Sequence, residues 1–158
     1  MLKILLEKLI LYFKSVPKEI DDSEKIVKII FSPLNVNAKG SVKANAFRCK
    51  RDDLSVNRLD YTTLNYCKRQ GIKLEKNSNL KDKNFYGIAL LFALEIRKLA
   101  KLFYRPVKGN KAHAEIVVGF SKELSSGEVN EAQYNYITEE LAKVARIYKD
   151  YDTKSKNW

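Results

Sequence analysis

The sequence predicts a single α+β domain in which helices cover a small, mostly antiparallel sheet. The chain has 158 residues, the length of one ordinary domain. Hydrophobic residues make up 45% of it, against 6 glycines and 3 prolines, so we expect a packed core rather than disorder. Segments of helical and of strand periodicity are mixed along the chain. We expect a docking helix over residues 1–16, the domain over residues 17–149 and a polar tail over residues 150–158.

The first 14 residues have the pattern of an amphipathic helix. One face at helical spacing carries the apolar side chains Leu2, Leu5, Leu6, Leu9 and Phe13. Glu7 and Lys8 interrupt the apolar stretch, so it predicts neither a signal peptide nor a transmembrane span. Two interpretations remain open: the helix packs on the core of its own domain, or it docks on a membrane surface or a protein partner.

The N-terminal half of the domain is predicted to mix helices and strands. The acidic run at residues 21–24 offers an N-cap, and it predicts a helix over residues 25–31 despite the β-branched residues there. A short strand is predicted over residues 42–47, and alternating polarity predicts another over residues 54–59. A threonine-capped helix then starts at residue 64 and is expected to end at Gly71.

The C-terminal half carries the clearest core signal. Apolar residues recur at helical spacing over residues 85–103, but residues 86–91 fit a buried strand equally well, with a helix from about residue 92 in either case. Residues 112–120 alternate as a strand, with His113 and Glu115 on one face. A long helix is predicted over residues 131–148.

The positive charge is concentrated in the middle of the chain. The net charge is +11, and residues 41–120 hold 17 basic and 7 acidic side chains, so +10 of it lies there. Such a concentration predicts contact with a polyanion, above all nucleic acid, although a solvated surface that keeps the protein soluble is the alternative. The candidate nucleic-acid contacts are Arg48, Lys50, Arg51, Lys68, Arg69, Arg105, Lys108 and Lys111.

A few residues offer catalytic chemistry. His113 is the one histidine of the chain, and with Glu115 it has the groups for acid–base catalysis near neutral pH. Arg58 lies on the apolar face of its predicted strand, where a guanidinium needs an acceptor. That acceptor is either a ligand phosphate or an internal carboxylate such as Asp60, Glu95 or Glu115. These residues predict, as an alternative, a small metal-independent enzyme or nucleotide-binding domain acting on a phosphate-containing substrate.

No cofactor or metal is expected. The sequence has no glycine-rich phosphate loop and no Gly-x-Ser-x-Gly motif. Two cysteines and one histidine are too few for an ordinary zinc site within one subunit. Whether the protein is an enzyme therefore stays open. The leading hypothesis is a basic accessory protein of the cytoplasm that binds nucleic acid, or a complex containing it, mainly by electrostatics. A further alternative is a protein-interaction module that uses residues 1–14.

Three short segments resemble a group of small uncharacterised bacterial proteins. They are the Phe-Ser pair at Phe31, the Ser-Val-x-Arg run that begins at Ser55 and ends at Arg58, and the His-Ala-x-Ile run that begins at His113. The resemblance spans residues 26–120. No activity is known for the group, so the resemblance implies only that Ser55, Arg58 and His113 belong to a shared scaffold.

Overall fold

The computed structural model describes residues 5, 6, 9, 13–48, 53–77, 83–119 and 130–149. The described residues form one antiparallel sheet of six strands in the order β4-β5-β2-β1-β3-β6. The strands are β1 (Lys25–Ser32), β2 (Leu54–Arg58), β3 (Asn84–Phe92), β4 (Lys101–Tyr104), β5 (His113–Val117) and β6 (Arg146–Lys149). The predicted α+β class with an antiparallel sheet is confirmed.

Helices pack on both faces of this sheet. The helices with defined bounds in the described chain are α1 (Leu64–Lys76), α2 (Ala93–Arg97) and α3 (Glu131–Val144), accompanied by 3-10 turns at Ala44–Phe47 and Leu59–Tyr61. The face covered by α1 is called the α1 face, and its buried cluster comprises Val27, Cys67, Ile88 and Leu90. The opposite face, here the α3 face, carries the larger core, which includes Ile26, Ile30, Val56, Leu91, Ile96, Ile116 and Leu141.

The prediction of a helix over residues 25–31 is wrong, because this segment is β1, a central strand paired with β2 and β3. The acidic run before it forms a turn instead of a helix cap. The Asp21 side chain accepts from the Ser23 amide at 2.8 Å, and the Glu24 amide donates to the Asp21 carbonyl at 3.1 Å. Isoleucine and valine suit a strand buried on both faces, which shows no alternation of polarity.

The apolar stretch over residues 85–103 contains two strands and one short helix. Residues 86–91 lie in β3, so the strand alternative is the one that forms. The helix expected beyond residue 92 ends at Arg97, and the chain then enters β4, which pairs with β5. The helix predicted over residues 131–148 likewise ends at Val144, because the following residues pair with β3 as β6.

Helix α1 is longer than expected. Thr63 caps it as predicted, with its side chain accepting from the Tyr66 amide at 3.1 Å. The helix continues past Gly71 to Lys76. A Cβ atom at position 71 would lie 2.3 Å from the Phe85 ring, so this glycine permits close packing of α1 on β3 rather than ending the helix.

Two other expectations concern short segments. The strand predicted over residues 42–47 is wrong: Ala44–Phe47 is a 3-10 turn, and Val42 forms an isolated bridge with Val36. Within residues 1–13 the described side chains are Leu5, Leu6, Leu9 and Phe13, which are helical and between 52% and 75% exposed. The remainder of the predicted first helix and the predicted tail at residues 150–158 lie outside the described residues.

Candidate nucleic-acid interface

Arg58 is fully buried on the α3 face and holds the chain segment that precedes β1. Its Nε and Nη2 atoms donate to the two Glu24 carboxylate oxygens at 2.7 and 2.6 Å. Nη1 donates to the Pro17 carbonyl at 2.6 Å, and Nη2 also donates to the Glu19 carbonyl at 3.0 Å. The guanidinium therefore fastens residues 17–24 to the end of β2.

The partner of Arg58 is an internal carboxylate, but it is Glu24 and not one of the residues expected for that role, Asp60, Glu95 or Glu115. The Tyr61 and Tyr104 rings lie 4.5 and 5.0 Å from the guanidinium carbon. Because its donors and its planar faces are occupied by the protein itself, Arg58 has a structural role in this arrangement.

His113 lies on the opposite face of the sheet from Arg58. It stands opposite Asn57 in the ladder between β2 and β5, and successive residues of a strand point to opposite faces. Its Nδ1 donates to the Arg105 carbonyl at 2.6 Å. Glu115 shares the face of His113 and forms an ion pair with the Arg105 guanidinium at 2.8 Å. Arg58 therefore lies apart from His113 and Glu115, and the structure does not bring these three candidate catalytic residues together in one site.

His113 and its neighbours hold the hairpin between β4 and β5 against the rest of the α1 face. The His113 amide donates to the Asn110 carbonyl at 3.4 Å, and the Asn110 side chain donates to Asn57 Oδ1 at 2.7 Å. The Tyr66 hydroxyl in the first turn of α1 donates to the Gly109 carbonyl at 3.5 Å. The basic hairpin loop thus lies beside the start of α1.

Helix α1 turns its basic side chains away from the sheet. Arg69, Lys73 and Lys76 are exposed and follow a spacing of four and three residues, which places them on one side of the helix. On the hairpin, Lys108 and Lys111 are exposed, and the Arg105 side chain is 55% exposed. We call these residues the basic α1–hairpin surface: Arg69, Lys73, Lys76, Arg105, Lys108 and Lys111.

The structure brings together four of the eight predicted contacts: Arg69, Arg105, Lys108 and Lys111. Lys68 is half-buried and lies about 100° around α1 from Arg69. Arg48 lies elsewhere, because its guanidinium donates to the Asn135 side chain of α3 at 2.7 Å. Lys50 and Arg51 fall outside the described residues. Lys73 and Lys76 were not among the predicted contacts and were expected to lie beyond the end of the helix. Their helical spacing from Arg69 was the signal that would have identified them.

The two long helices carry opposite charge on opposite faces of the sheet. Helix α1 contains four basic residues and one acidic residue, Glu75, whereas α3 contains three glutamates and one lysine, Lys143. The Glu75 carboxylate accepts from the Phe85 amide at 2.6 Å, so it is directed toward the sheet. Lys143 pairs with Glu140 at 2.6 Å. Helix α1 is therefore net positive and helix α3 net negative.

Other reactive groups are few in the described part of the chain. Burial raises the pKa of the Cys67 thiol to about 12, which keeps it protonated and unreactive. Among the described residues, no group of three or more histidine, cysteine, aspartate or glutamate side chains is placed to hold a metal ion. The described helices include none with the length and apolar character needed to cross a bilayer.

The chain matches no protein-family profile, no curated protein and no solved structure. The Phe-Ser, Ser-Val-x-Arg and His-Ala-x-Ile segments lie on β1, β2 and β5, which are neighbours in the sheet. The three segments lie close together because their strands pair in the sheet. Arg58 and His113 both make hydrogen bonds within the protein. The basic α1–hairpin surface is the arrangement that offers binding chemistry.

Proposed function

We propose that the protein is a non-enzymatic accessory protein of the cytoplasm that binds nucleic acid through the basic α1–hairpin surface. The observation that carries this proposal is the separation of charge between α1 and α3 on the two faces of the sheet. A charge excess that merely kept the protein soluble would have no reason to gather on one helix and the adjoining hairpin. Concentrated positive potential on one side attracts and orients a polyanion.

The dimensions of the surface suit a phosphate backbone. Helix α1 has 13 residues, which corresponds to a length of about 20 Å. Duplex DNA carries about 12 phosphates over that length of its axis. Binding through lysine and arginine contacts to phosphates carries no direct sequence information, so we expect weak sequence specificity and a strong dependence of affinity on salt.

The test is the affinity of the purified protein for short single-stranded and double-stranded probes between about 50 and 300 mM salt. Lys73→Glu on α1 is compared with Lys143→Glu on α3, because both residues are exposed lysines in the last turn of their helix and the change of charge is the same; Lys143 also pairs with Glu140. We expect Lys73→Glu to weaken binding about tenfold and Lys143→Glu to leave it within about twofold.

Three results would overturn the proposal. The first is the absence of detectable binding to either probe at the lowest salt concentration. The second is an affinity that does not fall with salt. The third is an equal loss of affinity in the Lys73→Glu and Lys143→Glu variants, because binding by charge at α1 requires the Lys73→Glu loss to be larger.

A further inference from the structure

Strand β4 presents a basic–aromatic–basic row on the α1 face. Lys101 stands opposite Val117 in the ladder with β5, and Phe103 stands opposite Glu115, so both side chains share the face of Glu115. Arg105 follows directly after the strand, and its guanidinium carbon lies 5.3 Å from the centre of the Phe103 ring. The three side chains therefore follow one another at every second residue along the edge of the sheet.

The intervening residues of β4 point the other way and form the core. Leu102 is buried on the α3 face, and the Tyr104 ring packs on the Arg58 guanidinium. Phe103, in contrast, is 40% exposed. Its ring is therefore partly open to solvent, with exposed Lys101 on one side and Arg105, which pairs with Glu115, on the other.

We propose that Phe103 is a stacking site for a base of single-stranded nucleic acid, with Lys101 and Arg105 contacting the phosphates on either side. This inference rests on the proposed function and names the form of nucleic acid that it selects. At about 3.3 Å per residue, the Cα atoms of Lys101 and Arg105 are about 13 Å apart, with Phe103 midway. Proteins that bind single strands combine a basic track with aromatic rings on which unpaired bases stack.

The row is continuous with the basic α1–hairpin surface. Arg105 opens the hairpin that carries Lys108, and the hydrogen bond between Gly109 and Tyr66 links that hairpin to the first turn of α1. A single-stranded nucleic acid with one base stacked on Phe103 can therefore extend its backbone along the hairpin toward α1. Bases within a duplex are paired and stacked on each other, so a duplex can use the cations but not the ring.

The test compares Phe103→Leu with Tyr136→Leu, using a single strand about 12 nucleotides long and its duplex. Both substitutions remove an exposed aromatic ring, and Tyr136 is 60% exposed on α3, away from the proposed site. We expect Phe103→Leu to weaken single-strand binding by about five- to 150-fold and to leave duplex binding within about twofold. Tyr136→Leu is expected to change neither affinity.

A second variant provides a direct readout. In Phe103→Trp with Trp158→Phe, the introduced indole is the one tryptophan side chain of the protein. Its fluorescence is expected to be quenched by the single strand and unaffected by the duplex.

The inference is overturned if Phe103→Leu weakens binding to both probes equally or to neither, or if the fluorescence of the Phe103→Trp variant does not respond to the single strand. In those cases salt-dependent binding that Lys73→Glu weakens would still support the proposed function. If the unaltered protein bound neither probe, the proposed function itself would be overturned.

Discussion

The Arg58 guanidinium and the Glu24 carboxylate form a two-point ion pair, 2.6 and 2.7 Å long, that is withdrawn from solvent. It joins the last residue of β2 to the residue immediately before β1. Because Arg58 also binds the carbonyls of Pro17 and Glu19, the pair fixes the path by which the chain enters the sheet.

Removing Arg58 is expected to destabilise the fold strongly. Arg58→Met should lower the free energy of unfolding by about 3–5 kcal/mol, because it leaves the Glu24 charge buried without a partner. Arg97→Met is the control: its ion pair with Asp22 is partly exposed, and the loss should be about 1 kcal/mol. Denaturant titration measures both. Adding Glu24→Gln to Arg58→Met should recover part of the lost stability. Equal losses in Arg58→Met and Arg97→Met would contradict the structural role of the Arg58–Glu24 pair.

Gly71→Ala is expected to destabilise the protein although alanine favours helices. The new methyl group would overlap the Phe85 ring, and such overpacking costs about 1–3 kcal/mol. Lys73→Ala, at an exposed position of the same helix, should have little effect on the melting temperature. Combining Gly71→Ala with Phe85→Leu should restore stability; a melting temperature unchanged by Gly71→Ala alone would show that α1 shifts freely on β3.

The Cys67 thiol is expected to be unreactive in the folded protein. In a Cys49→Ser variant it is the one thiol present, and its pKa is raised from 9.0 to about 12 by burial. Ellman's reagent at pH 8 should label it only on unfolding. Because burial favours the protonated form, this thiol contributes stability that is fully present below pH 9 and is lost as the pH rises toward 12. Rapid labelling under native conditions would contradict this placement.

The apolar stripe before residue 14 is expected to contribute little to the stability of the domain. Leu5 and Leu9 are 60% and 52% exposed, so Leu5→Glu with Leu9→Glu should change the free energy of unfolding by less than about 0.5 kcal/mol per site. Denaturant titration separates the two interpretations of this segment. A large loss of stability would mean that these leucines pack on the core of their own domain.

The salt dependence of binding is expected to report individual contacts. Removing one phosphate contact with Lys108→Ala should reduce the slope of log K against log salt for duplex DNA by about 0.9. Lys39→Ala, an exposed lysine outside the basic α1–hairpin surface, should leave the slope unchanged. A slope that is unaltered in Lys108→Ala would exclude Lys108 from the interface.

The strands with alternating polarity could be predicted from sequence, and the buried ones could not. The segments that became β2 and β5 alternate because one side faces the core and the other is partly open. β1 is buried on both faces, so its apolar residues run together, and the acidic turn before it has the composition of a helix cap. The periodicity of residues 85–103 arose by chance from adjoining elements of different type.

The candidate site could be predicted from the sequence only in part. Arginine and lysine residues can be counted in a sequence, and most of the candidate contacts within the described residues lie on one surface. The acceptor of Arg58 could not be identified, because Glu24 is 34 residues distant and lay in a segment expected to begin a helix. Only the pairing of β1 with β2 brings the two together.

The order of elements along the chain has a consequence for its synthesis on the ribosome. The core that contains Ile30 of β1 is completed by Leu141 of α3, which is made 111 residues after Ile30. At about 5–20 residues per second, the nascent chain presents this apolar surface for about 6–22 seconds before its cover is synthesised. During that interval the growing chain offers a binding site for chaperones, which the finished protein no longer displays.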